Sequence, residues 1–98
     1  MTGTENTESV SAGVYRNNAL GLYFIRGTFT LKTNYTAGTV LPVLNIPART
    51  ALRAPVQLYN VNTNINVDAV ALGDKISIVH GSNLGSPVVM SICAMISV

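Results

Sequence analysis

Four carboxylates, one histidine and one cysteine are the whole stock of conventional catalytic side chains in this sequence. Glu5 and Glu8 lie in the polar opening stretch, and Asp74 sits in the turn motif LGDK. Only Asp68 falls on a strand-like segment with alternating neighbours. A glycosidase needs two carboxylates facing one bond, and Asp68 with Asp74 is the only internal pair. A hairpin tip holds one of them poorly. With one His and one Cys there is no metal-ligand cluster. His80 and Cys93 would be the material for a Cys–His nucleophile across the last hairpin, but Cys93 lies in the apolar run SICAMIS with no orienting group. No Gly-rich phosphate loop is present, and the Asn34-Tyr35-Thr36 sequon is expected by chance among ten Asn and ten Thr. The expectation is a protein without catalysis, metal or cofactor.

Neutral hydrogen-bonding capacity is what remains. Tyr59, Asn60, Asn62, Asn64 and Asn66 cluster in LYNVNTNIN. Asn donates and accepts at once, and Tyr offers an apolar face with a hydroxyl. Both suit neutral sugars, which present hydroxyls around an apolar ring face. The plainer alternative is that these Asn residues build a turn between two strands. His80 follows Ile76 and Ile78 by strand parity, which points it inward as a structural histidine, a ligand contact, or both.

Composition bounds the rest. Of 98 residues, 48% are hydrophobic and only 10% are charged, against about 25% charged in an average domain. Such a chain is not intrinsically disordered. Its net charge of +2 from six scattered cations forms no basic stripe for nucleic acid. Few surface charges suit a surface partly covered by copies of itself. The length permits one domain. The single Cys93 rules out an internal disulfide and reads as a buried, inert thiol. The polar start MTGTENTES is unlike a signal peptide, and no stretch reaches the roughly 18 apolar residues of a membrane helix.

The elements that must position these groups are β-strands. Val and Ile abound, with twelve and seven copies, and the helix formers Glu, Lys and Gln are nearly absent. Strand-like patterns fall at 20–26, 28–33, 39–44, 55–61, 64–71, 75–80 and 88–98. Phe29 and Leu31 share one face, as do Val56 and Leu58, and Ile76 and Ile78. Ile65, Val67, Ala69 and Ala71 form another inward row. Residues 34–38 and 81–86 read as turn and loop, and 45–54 as a long connection with two Arg. In 88–98 one face is wholly apolar and the other half apolar, which suits a central strand or a subunit interface. The predicted fold is all-β, a small antiparallel sandwich or barrel of six to seven strands. Residues 1–18 are expected to be a flexible lead or the end of a neck or stalk, and 19–98 the β head.

Three features carry a resemblance: the Leu41-Pro42 connection with Pro47 and Pro55, the hairpin Leu72-Gly73-Asp74-Lys75, and the apolar last strand. Together they resemble the head domains of tail-tip receptor-binding proteins of phages infecting lactococci and related Gram-positive bacteria, over roughly residues 19–98. The resemblance implies a small homotrimeric β head on the virion tail tip, joined upstream to other baseplate or tail proteins. It implies attachment to saccharides of the host cell wall, without catalysis. Heads of this kind use a His, an Asp, an Arg and an aromatic, roles that His80, Asp68, and Arg53 or Arg49 match here. Tyr59 stands in for the usual Trp, which this chain lacks, with Asn62 and Asn64 beside it. The alternative expectation is a structural fibre-tip trimerisation module with no ligand.

Overall fold

The computed structural model describes residues 1–50 and 53–98. It holds eight strands: β1 (Thr2–Gly3), β2 (Thr7–Asn17), β3 (Leu22–Leu31), β4 (Leu41–Asn45), β5 (Ala54–Asn60), β6 (Ile65–Leu72), β7 (Lys75–Ile78) and β8 (Val88–Ser97). All pairings are antiparallel, in the order β1-β4-β7-β6-β5-β8-β3-β2, and the sheet curls into a nearly closed barrel. The two ends of that order meet because β1 leads directly into β2. Side chains of the connecting turn finish the closure. Thr4 Oγ1 and Asn6 Nδ2 donate to the Pro42 carbonyl at 2.8 and 2.9 Å, and Thr7 Oγ1 donates to the Val43 carbonyl at 3.1 Å.

The eighth strand count and the use of the opening residues depart from expectation. Residues 7–17 carry the period-two alternation of a strand, with Val10, Ala12 and Val14 half-buried and Ser11, Gly13 and Tyr15 exposed. The inward residues are few and small, so composition alone reads the segment as a polar lead. A bulge between Glu8 and Ser11 shifts the β2–β3 register. Just beyond it, opposite Ala12, Gly27 has φ +146° and lies so close to β2 that a Cβ would strike the Ser11 carbonyl and the Ala12 backbone. Only glycine fits there.

Elsewhere parity holds. Phe29, Leu31, Val56, Leu58, Ile76 and Ile78 are all buried, as are Met90, Ile92 and Ile96 of β8. β8 is central, paired with β3 along its whole length and with β5 over Leu58–Asn60. Ile65 is a correction: it is 53% exposed, because it closes the β5–β6 hairpin at the barrel rim. Tyr35 enters the core from a segment without strand pattern. Tyr35, in the expected turn, is 2% exposed and bridges Leu84 of the 81–86 loop. Its hydroxyl lies 2.6 Å from the Thr39 carbonyl and 2.8 Å from the His80 carbonyl.

Arg49 belongs to the connection between β4 and β5. It is buried, and its Nε donates to the Ser97 carbonyl at 2.6 Å while Nη1 donates to the Ala71 carbonyl at 3.1 Å. These carbonyls lie near the ends of β8 and β6, so the guanidinium closes that end of the barrel.

Candidate functional site

The outer face of the β5–β6 hairpin carries the densest set of polar side chains. Its register follows from the tight β6–β7 turn at Gly73-Asp74 and the longer turn over 61–64. Gly73 has φ +60° at the first of two turn positions, the backbone a two-residue hairpin loop asks for. The β5–β6 register then places Gln57 directly opposite Asp68. Gln57 Nε2 donates to Asp68 Oδ1 at 2.8 Å.

His80 follows β7 and is held against the same residue. The Val79 N–H donates to the Asp68 carbonyl at 3.0 Å, and the Asp68 N–H donates to His80 Nδ1 at 3.2 Å. A nitrogen that accepts a hydrogen bond carries no proton, so the proton of the neutral ring is on Nε2. Asp68 Oδ2 lies 3.6 Å from the same Nδ1. The His80 side chain is mostly covered and the Asp68 carboxylate mostly exposed.

Arg53, Gln57 and Asp68 line an open groove of about 390 Å³ whose apolar part comes from Pro55, Val70 and Val79. A cation, an amide and a carboxylate therefore converge over an apolar floor, the pattern of a ligand site. The fold thus brings Arg53 and Asp68 to one groove and sets His80 against Asp68 without lining that groove. Gln57 was not singled out in the sequence, although the hairpin register alone pairs it with Asp68. Arg49 stands apart, closing the barrel end.

Tyr59, Asn62 and Asn64 lie further along the hairpin and do not line the groove. Their polar atoms serve the turn. Asn60 Oδ1 accepts from the Asn62 and Thr63 N–H groups at 3.0 and 3.3 Å, and Asn62 Oδ1 accepts from the Val89 N–H at 2.9 Å. Asn64 has a left-handed φ of +57°, which Asn tolerates, and its Oδ1 accepts from the Tyr59 hydroxyl. The turn-building alternative accounts for these contacts. Tyr59 is still partly exposed on the outer face, beside Asn66 and Ser91 in register.

Cys93 is exposed, which corrects the expected buried thiol. It falls on the outer face of β8, and only the inner face meets the core. A second, mainly apolar groove of about 350 Å³ runs there between β3 and β8, lined by Phe24, Arg26, Cys93 and Met95 among others. β8 and β7 are separated by β5 and β6 in the sheet, three strand spacings of about 4.8 Å each. His80 and Cys93 therefore form no nucleophile pair.

The carboxylates are equally dispersed. Asp74 lies beyond Leu72 at the end of β6, and the strand from Asp68 to Leu72 alone spans about 13 Å. The acid pairs of glycosidases stand about 5–10 Å apart. Among the described residues no group of three His, Cys, Asp or Glu side chains is placed to hold a metal ion, and no helix is long and apolar enough to cross a membrane. Comparison with protein-family models, with curated proteins and with solved structures finds no match.

Proposed function

We propose that this barrel is a non-catalytic saccharide-binding head, of the kind that attaches a phage tail to the surface of a bacterial host. The observation that carries the reading is the convergence of Arg53, Gln57 and Asp68 over the Pro55–Val70–Val79 floor. A carboxylate accepts from two adjacent hydroxyls of a sugar, Arg53 donates to a hydroxyl or ring oxygen, and the apolar floor takes the C–H face of the ring. Among the described residues lining the groove Asp68 is the one carboxylate, so the paired acids of a glycosidase are not assembled there. His80 acts through Asp68, fixing the backbone on which the carboxylate is mounted.

The test is binding to a panel of bacterial wall glycans, followed by Asp68→Ala and Arg53→Ala. A hydrogen bond to a charged group contributes roughly 1.5–3 kcal/mol, so each change weakens binding at least about tenfold while the circular dichroism spectrum stays the same. Unaltered binding by both variants would remove the groove from the reading. A second reading, a structural fibre-tip module joined as a trimer and without a ligand, is favoured by the outer apolar row of exposed Tyr15 and Met95 with half-buried Phe24 between them. It predicts no glycan binding at all.

A further inference from the structure

β2 is a long strand at one end of the sheet order. It has eleven residues, pairs only with β3, and ends the sheet order. Its upper part is covered, since Gly3 of β1 packs against Thr7 and Val10. The strands across the seam are short, with two residues in β1 and five in β4. Beyond the bulge, Ser11–Asn17 runs in unbroken register with β3. Among the described residues no backbone hydrogen bond joins its other edge. Seven residues span about 24 Å of strand, and the unpaired N–H and C=O groups of such an edge are a template for another strand. Natural edges are guarded by Lys, Pro, bulges or inward charges. Ser11–Asn17 has no Lys or Pro, and its one charge, Arg16, shares the parity of Ala12 and Val14, is exposed, and lies 5.8 Å from the centre of the Tyr23 ring.

We infer that this edge pairs with the same edge of a second copy of the chain, antiparallel about a two-fold axis at Val14. In that register Val14 faces Val14 of the second copy, Ala12 faces Arg16, Gly13 faces Tyr15, and Ser11 faces Asn17. The complementarity lies in Gly13 and Tyr15. Tyr15 is 68% exposed, and the space over Gly13 is open, with nothing within 4 Å of where a Cβ would stand. Each tyrosine ring therefore seats over the glycine of the other copy, twice in one interface, as closed two-fold symmetry requires. Both partners lie on the outer face, so the pairing also extends the row from Tyr15 through Phe24 to Met95, whose first two rings already lie 6.4 Å apart. The two Arg16 side chains sit opposite Ala12 and avoid each other. The low overall charge leaves little repulsion between copies. This inference does not depend on the saccharide groove, which lies on β5 and β6.

The experiment is sedimentation analysis from micromolar to millimolar protein, with amide hydrogen exchange at both ends of the range. The expected result is a two-protomer species at high concentration, with alternate amides of Ser11–Asn17 slowed in step. Gly13→Lys, at an exposed position with open space above it, should leave the melting temperature unchanged, and Tyr15→Lys should lower it only by the loss of the Phe24 ring contact; each should raise the dissociation constant about tenfold, two cross-strand pairs being lost in each. As a further check, Val14→Cys in a Cys93→Ser background should oxidise to a covalent dimer, since residues facing across a pair lie within disulfide reach. A chain that stays monomeric throughout, or a three-protomer species in which the β2 amides exchange as in the monomer, would overturn the inference.

Discussion

Arg49 offers the sharpest test of how this barrel is held. The perturbation is Arg49→Met, which keeps an unbranched apolar stem and removes the guanidinium. Two backbone carbonyls then lose a charged donor: Ser97, now bonded at 2.6 Å, and Ala71, at 3.1 Å. Bonds to a charged group contribute about 1.5–3 kcal/mol each, a gross loss of roughly 3–6 kcal/mol for the pair. Removing the guanidinium also removes the cost of its burial, since Arg49 is only 9% exposed. The unpaired Ala71 carbonyl belongs to a fully buried residue, whereas the Ser97 carbonyl lies at the rim where water reaches it more easily. The net expectation is a loss of about 2–3 kcal/mol. For a domain of this size that is a fall in Tm of about 10–15 °C. Arg49→Lys, with one point donor in place of a fork, should fall between the two. Thermal unfolding followed by circular dichroism measures both. A Tm lowered by less than about 3 °C in Arg49→Met would show that water replaces the guanidinium freely, and the assignment of Arg49 as the closing group of the barrel end would be wrong.

Two other expectations follow from the corrected positions. Tyr35→Phe leaves the Thr39 and His80 carbonyls without their shared donor in a site 2% exposed, and should cost about 1–3 kcal/mol in urea unfolding; an unchanged midpoint would mean that the loops at that end are held by packing alone. Cys93 should react stoichiometrically with a thiol reagent in the native protein, because its side chain is on the solvent face of β8; reaction only after adding denaturant would contradict that placement.

What sequence pattern reads in this protein is the inward face of each strand. Ile76 and Ile78, Val56 and Leu58, and the apolar row of β8 bury as their period of two requires, because strand geometry sends alternate side chains to opposite sides whatever the rest of the chain does. The Gly73-Asp74 hairpin is legible for the same local reason, as is the scarcity of acids and of metal ligands. Asp68 and His80 are also visible as the few titratable groups on or beside strands.

Other features were decided only when strands from distant parts of the chain came together. β2 is made of small and polar residues and becomes a strand because β3 offers it a ladder and Gly27 makes room for it. Tyr35 is buried because Leu84, far along the chain, supplies its bridge. The outer face of β8 stays open, exposing Cys93 and Met95, because among the described residues no second layer covers the barrel wall. Arg49 and Arg53 lie four residues apart and look alike in sequence. One is drawn across the barrel end by the carbonyls of Ser97 and Ala71, and the other is left at the mouth of a groove. Local pattern carries the direction of a side chain within its own strand. It carries nothing about which strand lies alongside, and that pairing separates a structural arginine from one placed to meet a ligand.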